Sequence, residues 1–307
     1  SEPLEAKLLA GHSGYDLVVP SSGSLERHIK AKIYQPLDKS KLPNLKNMNP
    51  SLMKAVSAQD AGNTHSVPYL WGTTGIGYNV DLVRKALGED APVNSWDLVF
   101  NPEYVKKLKG CGVSFLDSPD EIYPLALNYV GQTNSRKTAD YKKTSKAGAL
   151  LKSIRPYVTQ FHSSSYINNL ANGEICVAVG YSGDILQAQS RAIEAKNGVK
   201  IEYSIPKEGT AVWFDMLTIP SDAKNPSAAH KFINFVMRPD IIADITNYVW
   251  YANPNKEATK LQDEEISNNP AIYPSQEIMK RLFTLITRKK KQNKLLTRLW
   301  TDLKAGR

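Results

Sequence analysis

Acidic side chains stand beside aromatic residues in several short apolar stretches of this chain, a pattern suited to binding a small cation. Asp215 lies inside the apolar run that begins at Ala211, two residues after Trp213, and no predicted helix follows that it could cap. A buried carboxylate needs a partner, which could be an ammonium ligand or a structural ion pair with Lys or Arg. Lys and Arg outnumber Asp and Glu by 39 to 30, so acids gathered beside aromatic residues favour the ammonium ligand.

Two further acids, Glu121 and Asp184, stand where helices are expected to begin, so each has two interpretations. Ser118 and Pro119 are typical of an N-cap and a first helical residue, and Glu121 would then complete a capping box. The sequence alone favours that cap. Asp184 precedes the predicted helix 185–196, and Asp is a preferred N-cap residue. A capping carboxylate binds a ligand as well only if one oxygen remains for it.

Aromatic residues near these acids could form the walls of the same site. Tyr181, Trp213 and Tyr251 are each typical of an ordinary core, but as a set beside three acids they favour a cation site. An ammonium group over an aromatic face gains about 0.5 to 2 kcal/mol, depending on how far it is desolvated. Ser21 could exchange one hydrogen bond with the same ligand, or it could simply end its strand.

A catalytic or metal-dependent function is not favoured. Residues 180–184 read Gly-Tyr-Ser-Gly-Asp, but Asp184 stands where the nucleophile-elbow pattern G-x-S-x-G requires Gly, and no His is placed to act as a base. The two cysteines and five scattered histidines lack metal-ligand spacing, so no metal or other cofactor is predicted. From the residues alone, Cys111 and Cys176 are interpreted as buried thiols rather than a disulfide, and a location outside the cytoplasm would reverse that preference.

Buried strands have to position these side chains, because short apolar runs bounded by turn formers are typical of such strands. In open α/β sheets, ligands bind beyond the carboxyl ends of the strands, which is where the acids lie. The alternation of strands and helices indicates βαβ units on a mostly parallel sheet. The strands are predicted within 15–21, 113–121, 175–184 and 211–215, and the helices from 24, near 52, and at 102–109, 118–130, 185–196, 226–237, 239–248, 275–286 and 294–304.

Two extended stretches, 69–79 and 201–220, predict that the chain crosses twice between discontinuous lobes, with a ligand cleft between them. Lobe 1 is predicted to contain residues 1–74 and 216–265, and lobe 2 residues 75–215 and 266–307. The glycines of 69–79 miss the G-x-G-x-x-G spacing of a phosphate-binding loop. The sequence therefore predicts a two-lobed α/β fold.

Charge and hydropathy narrow the possible partners. No run of 18 apolar residues predicts a membrane span, and no basic start followed by an apolar core indicates a signal peptide. The net charge of +9 raises the question of nucleic acid. The dense basic run 288–291 lies between apolar helical stretches and is interpreted as a solvated loop or helix end. With no nucleic-acid-binding motif, we expect no nucleic-acid partner.

The chain contains five distinctive stretches, at 16–21, 35–43, 73–79, 111–117 and 204–209. They resemble the bacterial periplasmic polyamine-binding proteins of ABC importers, and most of all their putrescine-binding branch. The similarity extends over residues 1–307. It implies a two-lobed type II solute-binding fold that closes over putrescine, or next over spermidine, and delivers it to an inner-membrane permease. It also implies a periplasmic location and a monomer.

The resemblance assigns roles to particular residues. It implies that Glu121, Asp184 and Asp215 bind the ligand's ammonium groups, with Ser21 and Tyr251 alongside. It also implies a disulfide between Cys111 and Cys176.

Three departures from the family pattern leave the ligand's length open or weaken its binding. Tyr181 stands where the family usually has Trp. Trp213 stands where putrescine-preferring members tend to have Phe, although Gly23, Ser118 and Leu285 do not supply the extra polar groups of spermidine binders. Family members also begin earlier, with a strand that leads into a Trp-Ser pair lining the pocket. Without that strand we expect a gap in the core of lobe 1, a less stable lobe and weaker binding.

Two alternatives to a polyamine receptor remain at this point. One is a truncated remnant that binds no ligand. The other is an enzyme on the same fold that acts on a small amine, although the sequence offers it neither a nucleophile nor a general base.

Overall fold

The computed structural model describes residues 2–306 of the chain, in which helices flank a mixed β-sheet. The α-helices are α1 Glu2–Ala10, α2 Ser22–Lys30, α3 Pro50–Val56, α4 Val80–Leu87, α5 Asp97–Phe100, α6 Pro102–Leu108, α7 Pro119–Tyr129, α8 Lys146–Ile154, α9 Ser165–Ala171, α10 Ser182–Ala195, α11 Pro226–Val236, α12 Pro239–Val249, α13 Glu264–Ser267, α14 Gln276–Met279 and α15 Lys290–Lys304. The strands are β1 Ser66–Asn79, β2 Val113–Phe115, β3 Gln160–Phe161, β4 Val177–Tyr181, β5 Ile201–Ser204, β6 Ala211–Thr218 and β7 Phe283–Thr284. Short 3-10 turns cover Lys39–Lys41, Pro43–Asn47, Ala61–Asn63, Thr138–Tyr141, Arg155–Tyr157 and Thr259–Leu261.

The chain forms two compact units, each built from two separate segments. Unit 1 contains the residues up to Gly72 together with Trp213–Tyr273, and unit 2 contains Thr73–Val212 together with Pro274–Arg307. Strands β1 and β6 each begin in one unit and end in the other. Each unit has a hydrophobic core of its own. The lobe boundaries given above stay a prediction.

Unit 2 is organised around the strand order β3-β2-β4-β1, with β5 also paired to β1. Strand β2 runs parallel to β3 and β4, as the βαβ pattern predicts, but β1 runs antiparallel to both β4 and β5. The prediction of a mostly parallel sheet is therefore wrong for β1. This strand enters unit 2 from unit 1 rather than from a helix of the same unit, so the rule for βαβ units does not apply to it.

The segment 15–21 in unit 1 is extended, but it does not form the regular strand that was predicted. It makes isolated antiparallel bridges to β6, in which Val18 pairs with Thr218 and Ser21 with Asp215. The backbone N–H of Met216 donates to the carbonyl of Pro20 at 2.9 Å. Because Pro20 has no N–H to donate in return, the ladder is interrupted there.

The C-terminal part of the chain departs from the predicted helix 275–286. Helix α14 ends at Met279, and β7 then pairs in parallel with the start of β6, where the N–H of Phe283 donates to the carbonyl of Thr210 at 3.0 Å. The backbone groups at the start of β6 offer hydrogen bonds that a longer α14 would not use. The helical spacing of the apolar residues 282–286 gives no indication of this pairing.

In the basic run 288–291, Arg288 and Lys289 precede helix α15 and the next two lysines are its first residues, which agrees with the interpretation as a loop or helix end. Only part of the run is solvated, because the guanidinium of Arg288 pairs with the carboxylate of Asp120 and its side chain is 8% exposed. The three following lysines are exposed.

Cys111 and Cys176 form a disulfide with their Cα atoms 5.4 Å apart. The pairing implied by the family resemblance is thus confirmed, and the interpretation as two thiols is wrong. Of the helices within residues 2–306, none has the length and apolar content needed to span a bilayer. Within the same range, no three His, Cys, Asp or Glu side chains come together as a metal site.

Candidate functional site

In unit 1, strand β6 carries Trp213 and Asp215 on one face, because side chains two residues apart on a strand point the same way. Phe214 points to the other face, where its ring stacks on Trp71 with centroids 6.2 Å apart. Burial of the intervening apolar side chains fixes the strand, and with it the direction of Asp215. The spacing of these residues in the sequence is thus sufficient to put the acid beside an aromatic ring.

The carboxyl group of Asp215 has lost most of its hydration. Desolvation raises its pKa from 3.8 to about 7, although the residue keeps some solvent exposure. The same acid contributes to the raised pKa of Tyr69, after the larger effect of that phenol's own burial. Within residues 2–306, no Lys or Arg pairs with Asp215. The alternative of a structural ion pair is therefore not what the structure shows.

Tyr251 and Ser21 lie close to these β6 residues in unit 1. The rings of Trp213 and Tyr251 meet edge to face, with centroids 5.3 Å apart and planes at 64°. Tyr251 follows Trp250, whose left-handed backbone ends helix α12. Ser21 pairs with Asp215 through an antiparallel bridge and stands at the N-cap of helix α2, where its side chain makes no capping hydrogen bond. Unit 1 thus brings together all four of its predicted site residues.

In unit 2, Glu121 lies in the first turn of helix α7 and is 8% exposed. Its carboxylate accepts a hydrogen bond of 3.1 Å from the hydroxyl of Thr74, a fully buried residue of strand β1. Thr74 is in turn the register partner of Tyr181 on β4. One β1 residue therefore connects the acid of α7 to the aromatic residue at the end of β4.

Asp184 and Tyr181 are connected by another residue, Tyr166 of helix α9. The Tyr166 hydroxyl donates to the carboxylate of Asp184 at 2.7 Å and accepts from the backbone N–H of Tyr181 at 3.1 Å. Asp184 lies in the first turn of helix α10, where the backbone dipoles favour a negative charge. Unit 2 thus brings Tyr181 and Asp184 together through Tyr166, and Glu121 joins them through β1.

Both capping interpretations fail in detail. Ser118 does occupy the N-cap of α7, but its side chain makes no capping hydrogen bond, so the predicted capping box is not formed. Helix α10 begins at Ser182 with Tyr181 at the N-cap, which leaves Asp184 inside the first turn. The helix starts earlier because Ser182 and Gly183 are both buried against the sheet and are held in the helical conformation by packing.

Two hydroxyl residues that contact the site were missed from the sequence. Thr74 lies in the Gly-rich stretch 69–79, where the glycines are the stronger signal, and Tyr166 lies in a short helix with no motif around it. A Thr within a run of buried residues is a weak signal, because its hydroxyl needs a partner somewhere. Nothing in the sequence around Tyr166 indicates its role, which depends on the folded structure.

The chain matches the family model for the bacterial extracellular solute-binding proteins over residues 2–274. It is 57% identical over 307 residues to the putrescine-binding periplasmic protein SpuD of Pseudomonas aeruginosa, covering 100% of this chain and 83% of that one. It is 53% identical over 308 residues to the putrescine-binding periplasmic protein PotF of Escherichia coli, with the same coverage of both chains. Among solved structures, a putative spermidine/putrescine ABC transporter protein from Listeria monocytogenes matches with a TM-score of 0.86 and 32% identity, covering 100% of this chain and 88% of that one.

The chain therefore belongs to the bacterial extracellular solute-binding proteins, and it has their two-lobed α/β fold. The comparisons favour a binding protein of a transport system over an enzyme, because the relatives are substrate-binding proteins. SpuD and PotF are periplasmic proteins, and the Listeria monocytogenes protein is described as part of a putative ABC transporter.

Proposed function

We propose that this protein binds a polyamine, putrescine first and spermidine next, and delivers it to the permease of an ABC importer. The observation that carries the proposal is Asp215, a desolvated carboxylate with a pKa of about 7 and no cationic partner within residues 2–306. An ammonium group would supply the positive counter-charge that this carboxylate lacks. The high identity to two putrescine-binding proteins supports the same conclusion.

The proposed ligand needs two ends, and the two units offer separate acids for them. Asp215 in unit 1 would bind one ammonium group, with Ser21 and the Trp213–Tyr251 ring pair beside it. Glu121 and Asp184 in unit 2 would bind the other, with Tyr181 as the aromatic neighbour. We propose that units 1 and 2 are the two lobes of the solute-binding fold and that both contribute to one ligand.

Location and assembly follow from the same proposal. We propose that the protein acts in the periplasm, where the Cys111–Cys176 disulfide would be maintained. It would act as a monomer, since a single chain supplies acids for both ends of the ligand. Nucleic acid is not part of the proposal, and the pairing of Arg288 with Asp120 already neutralises one charge of the densest basic run.

Isothermal titration of the purified chain with putrescine, spermidine and spermine at moderate salt tests the proposal. We expect saturable binding of one putrescine per chain. Asp215→Asn should weaken it by roughly 100-fold or more, because removing one partner of a buried charge pair costs about 3 kcal/mol or more.

The matched control is Asp240→Asn, which makes the same change of charge at an exposed acid of unit 1 that pairs with Arg238. It should bind putrescine as the unmodified chain does. Absence of heat with every amine, from a chain that circular dichroism shows to be folded, would refute the proposed function. Equal binding by Asp215→Asn and Asp240→Asn would refute the role of Asp215.

A further inference from the structure

The hydroxyl group of Tyr166 connects two candidate ligand residues at once. Tyr166 lies on α9 and is fully buried, and its oxygen lies 2.7 Å from a carboxylate oxygen of Asp184 and 3.1 Å from the backbone nitrogen of Tyr181. Tyr181 ends strand β4 and Asp184 lies in the first turn of α10, so this single group binds both sides of the strand-to-helix turn.

The direction of both hydrogen bonds is fixed by chemistry. A backbone N–H can only donate, so the oxygen of Tyr166 accepts from Tyr181, and its own proton points to Asp184. Burial raises the pKa of Tyr166 well above its usual value, and the neighbouring Asp184 raises it further, so the phenol stays protonated. Tyr166 is thus a permanent donor to the carboxylate of Asp184.

The ring of Tyr166 reaches this position because residue 180 is Gly. A Cβ atom at Gly180 would lie 2.5 Å from Cε2 of Tyr166 and 3.1 Å from Cδ1 of Ile185, both too close for real atoms to accept without movement. Gly180 therefore leaves the space in which the Tyr166 ring lies against β4. The strand, the ring and the helix start form one packed arrangement around Asp184.

Other titratable groups near this arrangement already have partners of their own. On β5, which packs against α10, Glu202 accepts from the hydroxyl of Tyr78 and the hydroxyl of Tyr203 bonds to Thr73. Further along α10, Arg191 donates to the side chain of Asn168 at 2.6 Å. Tyr166 donates its hydroxyl directly to Asp184.

We propose that Tyr166 is a positioning residue for ligand binding: it holds the carboxylate of Asp184 in one orientation and in its charged form, and it fixes Tyr181 beside it. This inference rests on the proposed function, since it assigns Asp184 to a polyamine ammonium group. Tyr166 itself need not touch the ligand. Its effect would be to remove the reorganisation that a mobile carboxylate undergoes on binding.

The variant Tyr166→Phe keeps the ring and removes only the hydroxyl. We expect its putrescine affinity to fall roughly tenfold, the usual effect of losing a hydrogen bond to a charged group. In the ligand-free chain, the ¹³C resonance of the Asp184 carboxyl should titrate at higher pH than in the unmodified protein, because the charged form has lost a donor.

The matched control is Tyr123→Phe, which removes another buried hydroxyl of unit 2, one that donates to the backbone carbonyl of Asp140 at 2.6 Å. Both variants should lower the melting temperature, but only Tyr166→Phe should change affinity and the Asp184 titration. Equal affinities and an unchanged Asp184 titration in the two variants would overturn the inference. If the unmodified chain binds no polyamine, the proposed function fails, and an unmoved Asp184 titration in Tyr166→Phe would separately refute the hydrogen bond.

Discussion

The acids of the two units are supported in opposite ways. In unit 2, Glu121 and Asp184 each accept a hydrogen bond from a buried hydroxyl, at 3.1 and 2.7 Å, and each lies in the first turn of a helix. In unit 1, Asp215 lies on a strand, and within residues 2–306 its carboxylate has no hydrogen-bond donor or cation. The acids of unit 2 are therefore preorganised by hydrogen bonds, while unit 1 contains an acid that a cation would stabilise.

This difference indicates how the binding free energy would be divided. Preorganised carboxylates reduce the reorganisation that binding requires, which is the contribution expected from unit 2. A desolvated carboxylate is unfavourable until a counter-charge arrives, so the contribution expected from unit 1 is relief of that desolvation. Three measurements would sharpen or break the comparison.

The largest expected effect concerns the disulfide, which is found in unit 2. Cys111 and Cys176 are 65 residues apart, and closing a loop of that length destabilises the unfolded chain by about 4 kcal/mol. Reduction should lower the protection of unit 2 amides in hydrogen exchange, above all in β4, and leave α11 and α12 of unit 1 unchanged. The double variant Cys111→Ser/Cys176→Ser should already show the low protection and should not respond to reductant. An equal loss in both units would break the comparison.

The next effect is the pH dependence of binding, which should come from unit 1. The pKa of Asp215 is raised to about 7, so below that pH the ligand must displace a proton before an ion pair forms. Putrescine affinity should therefore fall roughly 100-fold between pH 8 and pH 5. Titrations in buffers of different ionisation enthalpy should detect the released proton at pH 6.

The control for this prediction is Asp184→Asn, which removes an acid of unit 2. It should bind more weakly at every pH but keep the same slope, since Asp215 is unchanged. A flat pH profile for the unmodified chain would show that Asp215 is already ionised in the empty protein.

The smallest of the three effects is on the stability of the empty protein. A folded-state pKa raised from 3.8 to about 7 means that the Asp215 carboxyl is protonated in both the folded and the unfolded state below about pH 4, and that it opposes folding increasingly as the pH rises to 7. At pH 8 the unfavourable term is roughly 4 kcal/mol, since each pKa unit is worth about 1.4 kcal/mol. Asp215→Asn removes this unfavourable term, but burial of the new amide offsets part of the gain in stability. The free energy of unfolding should therefore increase by about 2 kcal/mol.

Urea unfolding at pH 8 and pH 4 measures this effect. The gain should vanish at pH 4, where the carboxyl of Asp215 is protonated in the folded state. Asp184→Asn should have the opposite sign at pH 8, because it replaces the charged acceptor of the Tyr166 hydroxyl with a weaker, neutral amide oxygen. Destabilisation by both variants would mean that the two acids are supported alike.

The sequence predicts the site residues of unit 1 better than the contacts that support those of unit 2. In unit 1, a strand pattern was enough to bring Trp213 and Asp215 to one face, because a period of two in the sequence becomes one side of a strand. In unit 2, the support of Asp184 comes from Tyr166, and the contact exists only once α9 packs against β4. No spacing in the sequence encodes that contact.

The errors in the fold have similar causes. The start of α10 was misplaced because packing of Ser182 and Gly183 extended the helix beyond the residue that local preference would select. Residues 282–286 have helical spacing, yet they pair with β6 because its edge offers backbone hydrogen bonds. The long strand β1, whose burial is nearly continuous, was predicted as extended and is the element where local pattern and tertiary structure agree best.

The close approach at Gly180 limits how the ligand range of this protein can be altered by directed evolution. Gly180 faces Gly75 across the β1–β4 pair, and a side chain at position 75 would also meet its neighbours, with a Cβ 2.5 Å from the carbonyl oxygen of Ser204. A mutant library that varies Tyr181 alone can resize the aromatic wall while the Asp184 carboxylate stays in place. In a library that also varies position 180, most variants would displace the Asp184 carboxylate. Selection for new amines should therefore vary position 181 and keep Gly180.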